Sequence, residues 1–252
     1  MKHTNASREP SGRVTIRTPT VERQGAVMIL DALGTRGIWA RSDPAQVAET
    51  LAGLTHAFKS GVSEGSHPTG RAYRKLAKLN DLPDQEISWV CQTISDTVIT
   101  TARSPGPLGA LLLFVACEAI PLVATGFEAG VPFRGAIAAG SYFEAGSVLI
   151  GPAVDEAAEW HDKLDWAGVV LAPSAADAIE TLGKELKFVG GPPFVKTQLP
   201  LKDGPLLGYA LNWPLDSVPR KVIARAFSRS PVTTDVARKL SRTLAFYDEN
   251  HG

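Results

Sequence analysis

Two acidic residues stand where acidic residues are costly. Asp31 follows the apolar run Ala26-Val27-Met28-Ile29-Leu30, and Asp96 follows a second apolar stretch where the chain must reverse. A carboxylate at the end of a buried strand needs backbone amides, an ion-pair partner or a cation. Taken singly, either Asp is explained as a turn cap bonded to its own downstream amides. As a pair on adjacent strands, about 4.8 Å apart, they can share a divalent cation. So few protein ligands suit Mg²⁺ or Mn²⁺, which take their remaining oxygens from substrate phosphates and water. After Asp31, the segment Ala32-Leu33-Gly34-Thr35-Arg36-Gly37 offers two glycines that let backbone N–H groups approach an anion, beside the charge of Arg36. It is not a P-loop, because GxxxxGK[ST] is absent. Metal-bridged carboxylates beside an amide cradle point to chemistry at the phosphates of a nucleoside triphosphate.

The elements that must position these groups follow from periodicity. Residues 1–24 are rich in Ser, Thr, Arg and Pro without a period and read as a mobile arm, with order beginning at Gly25. Residues 26–30 suit a strand covered on both faces. Asp43 as N-cap and Pro44 at the first position open a helix with Val47, Leu51, Leu54 and Phe58 as its apolar stripe. A polar loop over 60–70 and a short basic helix over 71–79 follow. Strands over 87–94 and 97–101 meet at Ser95-Asp96 in a tight hairpin. A helix over 108–125 is followed by Gly126 and Gly130, then a strand over 133–139 ending in Gly140. A second hairpin over 142–150 turns at Glu144-Ala145-Gly146. Pro152 opens a helix to about Lys163, a strand covers 167–171, and a helix covers 173–183. Residues 184–214 hold many prolines and glycines with one strand at 206–211, and an amphipathic helix spans 233–249, with Val236, Leu240, Leu244 and Phe246 inward. This order favours an α+β fold, a mainly antiparallel sheet with helices on one face, and the split βαβ, ferredoxin-like arrangement is the nearest named option. The expected division is an arm at 1–24, a core at 25–183 and a C-terminal extension at 184–252 packed on the core or on a partner subunit.

Composition removes several classes of function. The 252 residues carry 26 Lys+Arg against 26 Asp+Glu, which argues against a generic nucleic-acid binder needing a clustered basic face. Two Cys make neither a disulfide framework nor a four-thiolate zinc site, and both lie in apolar runs, as expected of buried reduced thiols in a cytoplasmic protein. The most apolar stretch, 108–124, is interrupted by Glu118 and Pro121, so no membrane span is expected. The first twenty residues lack the apolar segment of a signal peptide.

Three blocks together resemble the class III nucleotidyl cyclases. They are Ile29-Leu30-Asp31-Ala32-Leu33-Gly34, Ile94-Ser95-Asp96-Thr97-Val98, and Phe133-Arg134-Gly135-Ala136-Ile137-Ala138-Ala139-Gly140 with Gly151-Pro152-Ala153-Val154-Asp155-Glu156-Ala157-Ala158 after it. The resemblance spans residues 25–174, in family order. It implies a ferredoxin-like catalytic core acting as a homodimer, with active sites at the subunit interface. It also implies two divalent cations, Mn²⁺ or Mg²⁺, on Asp31, Asp96 and the backbone carbonyl of Ala32. The triphosphate cradle would be Leu33, Gly34, Thr35 and Arg36. The implied reaction is attack of the ribose 3′-oxygen on the α-phosphorus, releasing pyrophosphate and a 3′,5′-cyclic nucleotide.

The departures from that family narrow the substrate. Purine cyclases carry a base-reading Lys four residues before the second metal Asp, where this chain has Gln92. Their second base-reading residue, usually Asp, falls near Val148. Asp155 replaces the ribose-orienting Asn, and Glu159 replaces the Arg that stabilises the transition state. Arg134 is then the best-placed replacement cation, its bland reading being an ion pair with Asp155 or Glu159. The block Arg-Gly-Ala-Ile-Ala-Ala-Gly followed by Gly-Pro-Ala-Val-x-Glu-Ala resembles the pyrimidine cyclases of the Pycsar anti-phage system, which make cyclic UMP or cyclic CMP for a separate effector. Gln92 offers both a donor and an acceptor and so suits either uracil or cytosine. UTP is taken ahead of CTP, a choice for which the sequence gives no physical reason. A cyclase-like module that senses nucleotide without catalysis is the alternative.

The remaining candidates have structural readings. His56 and His161 show no ligand spacing, and His56 reads as a packed or capping residue. Trp89, Trp160 and Trp166 read as core or interface anchors. Glu156 and Glu159 read as exposed helix positions.

Overall fold

Strand β1 (Val21–Ala32) is apolar on both faces, and this sets the layers of the molecule. Ala26, Met28, Leu30 and Ala32 enter one core, while Val27 and Ile29 enter a second on the opposite face. The computed structural model describes residues 20–34, 43–63, 87–182, 191–216, 218–228 and 233–250. The further strands are β2 (Ser88–Ile94), β3 (Thr97–Arg103), β4 (Phe133–Ala145), β5 (Val148–Ile150), β6 (Gly168–Leu171), β7 (Phe194–Leu201) and β8 (Gly204–Leu211). The helices are α1 (Pro44–Ser63), α2 (Leu108–Ala129), α3 (Pro152–Lys163), α4 (Pro173–Thr181), α5 (Arg220–Phe227) and α6 (Thr234–Asn250).

The strands form one sheet in the order β2-β3-β1-β4-β6-β8-β7, with β5 beside β4. Every described pairing is antiparallel except β4 with β6. Strands β1 to β4, with α1 and α2 as their crossovers, give the spatial order 4-1-3-2 with antiparallel neighbours. That is the expected split βαβ, ferredoxin-like arrangement within an α+β fold. Helices on one face holds for α1 and α2, whereas α3 covers the other through Ala153 and Ala157. A strand apolar on both sides requires a cover on both sides.

Other expectations move at their boundaries. Residues 21–24 belong to β1, since Val21 to Gln24 pair with Glu144 to Ser141 and Arg23 meets Glu144 at 3.3 Å; the rest of the arm, 1–19, lies outside the described residues. The turn at 35–42 and the basic segment at 71–79 also lie outside them. Asp43 accepts the Ala45 N–H at 3.0 Å, as an N-cap does, and Leu51 and Leu54 are buried. α2 runs through Gly126, where an added Cβ would lie 2.7 Å from the Val131 carbonyl, and stops at Gly130, which takes φ 74°. By length and composition α2 could cross a membrane, yet 89% of its most apolar window is buried inside the fold. β4 continues past Gly140, so the hairpin turns at Gly146-Ser147 rather than at residues 144–146. β7 was not expected, because the prolines and glycines around it obscure an alternation in which Lys196, Gln198 and Pro200 take one face and Leu199 and Leu201 the buried one. As an edge strand it tolerates Pro200.

The described part of 184–252 adds β7, β8, α5 and α6 to the same sheet and core. Trp213 is fully buried against Phe127 and Phe246. Cys91 and Cys117 are buried and not joined in a disulfide, as expected. Trp166 is fully buried on Phe246, which makes it a core anchor. α6 is fastened by Asp165, whose side chain is 3% exposed and meets Arg238, Arg242 and, at 3.6 Å, Lys239. Burial pushes the Asp165 carboxyl up, but the Arg238 hydrogen bond and the charges of Arg238, Arg242 and Lys239 outweigh burial and hold it below its ordinary value. A carboxylate with a depressed folded pKa contributes stability above its unfolded pKa, about 3.9, which is lost as pH falls through the lower folded value. Asp165→Asn is expected to cost about 3 kcal/mol at pH 7, the low end for breaking a buried pair because its Arg partners are partly solvated. Urea unfolding at pH 7 and near pH 3 checks both parts: the gap between variant and wild type should shrink in acid.

Candidate active site

Asp31 lies at the point where three strands end together. It is in register with Thr97 of β3 on one side and Arg134 of β4 on the other. Thr97 directly follows Asp96, so both carboxylates stand at the same end of the sheet on adjacent chains. The Ala32 N–H donates to the Asp96 carbonyl at 3.0 Å, tying the hairpin turn to the end of β1. That turn has two residues, and Ser95 at φ 58° is the only described non-glycine residue with positive φ. A positive φ at the first central position only is the sign pattern of a type II′ hairpin turn, whose twist matches the flanking strands.

The Asp31 side chain is 19% exposed and is met by Arg134, itself 16% exposed. Nε of Arg134 donates to Oδ2 of Asp31 at 3.0 Å, and Nη2 lies 3.0 Å from the same oxygen as an ion-pair contact. Arg134 Nη2 also lies 3.6 Å from Oδ1 of Asp162, which accepts a hydrogen bond from Lys202 at 3.0 Å. The Lys202 hydrogen bond holds the Asp162 carboxyl below its usual range. The expected partners of Arg134, Asp155 and Glu159, are therefore replaced by Asp31 and Asp162. Cross-strand register puts Asp31 directly opposite Arg134, and position 162 lies two to three helical turns beyond the first turn of α3.

The remaining sequence candidates fall into two groups. Gly34 takes φ 85° and opens the loop after β1; Thr35 and Arg36 lie outside the described residues. The Leu33 N–H is already committed to the Pro132 carbonyl at 2.7 Å, so it is not a donor for an anion cradle. Asp155 is exposed in the first turn of α3, where a negative charge suits the helix N-terminus. Glu159 is exposed and pairs with Lys163 at 2.5 Å. Glu156, expected to be exposed, is half-buried instead. It accepts the Ser174 N–H at 3.1 Å and the Ser174 hydroxyl at 2.5 Å, and that hydroxyl accepts the Ala139 N–H at 2.9 Å. This latch ties α3 to the start of α4. Its only sequence signal was a Glu preceding a Pro-Ser helix start. His56 is exposed and lines a cleft of about 400 Å³ with Leu51, Thr55 and Thr93, rather than packing in the core.

Gln92 lies on β2 opposite Ile99, on the sheet face that carries Val27, Ile29 and Asp31. On that face α3 leaves a cleft of about 290 Å³, in which Gln92, Thr101 and Glu144 are set among Val90, Ile99 and Val148. Gln92 and Val148, the positions that the resemblance aligns with the base-reading residues of purine cyclases, thus line one cleft. Among the described residues no group of three or more His, Cys, Asp or Glu gathers. A cation at Asp31 and Asp96 would therefore take most of its ligands from substrate and water. Carboxylates at adjacent strand ends are the hard-oxygen donors that Mg²⁺ and Mn²⁺ accept, so the residues fit such an ion.

The sequence matches no protein-family model and no curated protein. Among solved structures, the adenylyl cyclase CyaB from P. aeruginosa is similar over 77% of this chain and 95% of its own, at 11% identity and a TM-score of 0.49. An adenylate/guanylate cyclase/hydrolase from Silicibacter pomeroyi is similar over 77% of this chain and 98% of its own, at 13% identity and a TM-score of 0.44.

The Asp31–Arg134 pair is more sheltered than a surface ion pair and combines a hydrogen bond from Nε with a close Nη2 contact. A double-mutant cycle with Asp31→Asn and Arg134→Gln is expected to give a coupling of about 1–2 kcal/mol in urea unfolding. Additivity of the two substitutions would show that the contact contributes nothing.

Proposed function

We propose that this chain is a nucleotidyl cyclase for pyrimidine nucleotides, converting UTP, ahead of CTP, to the 3′,5′-cyclic nucleotide and pyrophosphate. Its role would be a second-messenger synthase in bacterial anti-phage defence, signalling to a separate effector. The reading is carried by one observation: Asp31 and Asp96 stand at the same end of neighbouring strands, with Arg134 beside them. The ordered cyclase-like blocks of the sequence add the reaction.

In that reaction the ribose 3′-oxygen bonds to the α-phosphorus, its proton leaves, and the bond from the α-phosphorus to the bridging oxygen of pyrophosphate breaks. Asp31, Asp96 and the Ala32 carbonyl would hold the divalent cations. When bound, such ions acidify the 3′-hydroxyl and neutralise the polyphosphate. Gly34, Thr35 and Arg36 would face the triphosphate, and Arg134 would meet the charge that develops on the leaving pyrophosphate. Gln92 would hold the base through its amide, and Asp155 would orient the ribose. The exposed apolar residues Val90 and Ile94 on β2 favour a homodimer formed over the sheet face that carries Gln92.

A second reading, nucleotide sensing without turnover, draws on Glu159, which stands where purine cyclases have their transition-state Arg and is paired to Lys163 at the surface. Incubation with each of the four NTPs and Mn²⁺, followed by mass spectrometry, separates the two. Cyclic UMP and pyrophosphate are expected, with less cyclic CMP. Asp31→Ala and Asp96→Ala should each lower turnover by more than about 100-fold, beyond the effect of losing a group that merely orients a metal ligand. Thermal stabilisation by UTP with no cyclic product from any NTP would leave the sensing reading.

A further inference from the structure

The cleft on the open sheet face holds a carboxylate to which the proposed reaction assigns no task. Glu144 lines it together with Gln92, Thr101 and the apolar Val90, Ile99 and Val148. In the β4–β5 hairpin Glu144 is directly opposite Leu149, one residue from Val148, whose side chain cannot hydrogen-bond. Arg23 approaches from β1: Val21 is in register with Glu144, and Arg23 is its diagonal neighbour. Arg23 Nε donates to Oε2 at 3.3 Å, and Oε1 makes no hydrogen bond among the described residues. The carboxylate is thus steered by one oxygen while its side chain keeps 28% of its surface exposed.

We infer that Glu144 is a specificity-determining residue, accepting a hydrogen bond from the N3–H of uracil while the Gln92 amide donates to a neighbouring uracil carbonyl. This rests on the pyrimidine-nucleotide reading above, with active sites shared across the homodimer. The register sets Glu144 ten residues along β4 from Arg134, about 30 Å from the Asp31 of its own chain, so the base it reads belongs to a nucleotide whose phosphates are held by the partner subunit. It gives that reading a physical basis for UTP over CTP. Uracil presents one N–H between two carbonyl oxygens. Cytosine, docked the same way, presents a lone pair at N3. A carboxylate facing N3 therefore gains a charge-assisted hydrogen bond with uracil and meets lone-pair repulsion with cytosine. A site built to pair a particular donor rejects the analogue that lacks it, because its own acceptor is left unpaired. Arg23 keeps the carboxylate in position and is a positioning residue for it.

Glu144→Gln tests this, because an amide can accept from uracil N3–H or donate to cytosine N3. Equilibrium titrations of UTP, CTP and tripolyphosphate in the presence of Mn²⁺ are compared with kcat and KM for the two nucleotides. The wild-type protein is expected to bind UTP more tightly than CTP. Glu144→Gln should reduce that preference by about tenfold or more, through KM rather than kcat, while tripolyphosphate binding stays within twofold. Arg23→Gln, which removes the ion pair and keeps the carboxylate, should retain most of the preference. If the ion pair is all that Glu144 provides, both variants lower the melting temperature alike and leave the UTP-to-CTP ratio unchanged, which overturns the inference. Equal binding of UTP and CTP by wild type overturns it as well. Preferential UTP binding that Glu144→Gln abolishes, without any cyclic product, would uphold this inference and defeat the cyclase reading instead.

Discussion

A carboxylate cannot end a buried strand uncompensated, and the arrangement around Asp31 follows from that constraint. β1 is covered on both faces as far as Leu30, so the next residue is only partly released to solvent. The fold meets the cost by register: β4 runs antiparallel to β1 and sets Arg134 directly opposite Asp31. Gly135 follows, and it is a glycine for a steric reason. A Cβ there would lie 2.3 Å from the Leu30 side chain and 2.5 Å from the Ile29 carbonyl, forcing β4 away from β1. The Arg-Gly dipeptide thus brings a cation and a close strand contact to the same place. The Ala32 and Leu33 amides, bonded to the Asp96 and Pro132 carbonyls, fix the strand end from both sides.

This constraint also explains which parts of the structure were legible in the sequence. Asp31 and Asp96 stood out because each interrupts a β-branched or apolar run, and a period-2 pattern fixes where such a run ends. The β2–β3 hairpin and the Pro152 helix start were readable for similar local reasons. The partners of Arg134 were not. Asp162 is distant in sequence and reaches Arg134 only because α3 crosses the second sheet face. Glu156 looked like a surface residue because its role depends on Ser174, which arrives after the intervening strand β6. The strand β7 was hidden by Pro200 and by the proline- and glycine-rich segment before it, although residues 195–201 alternate in burial. Local pattern reports an element's interior, whereas tertiary partners depend on how elements cross.

The two sheet faces have different duties as a result. One is closed by α1, α2 and the C-terminal helices into the larger core, where Trp166, Trp213, Phe127 and Phe246 pack together. Among the described residues the other is closed only beneath α3, by a small cluster built around Ala138, Ala153, Ala157 and Ala172. Small residues there let α3 lie close to β1 and β4, with Ile99 of β3 and Leu149 of β5 at the margin of the cluster; among the described residues the rest of β2, β3 and β5 on that face is uncovered. The open part of that face carries Gln92, Glu144 and the Asp31 end of the sheet. A polar cleft can persist there because the opposite face supplies most of the burial that holds the strands.

The C-terminal segment reaches the Asp31 end by a different route. Lys202 sits in the turn between β7 and β8, and its bond to Asp162 places a carboxylate within 3.6 Å of Arg134. The same region is anchored at Asp165, three residues further along the chain from Asp162, by the cations of α6. A guanidinium shared between Asp31 and Asp162 has two seats of like charge, and Lys202 draws on the second of them. Asp162 is 68% exposed, so this contact contributes little to stability. What it does is bias where Arg134 rests, and Arg134 is the group whose position decides how much negative charge Asp31 can offer to another cation.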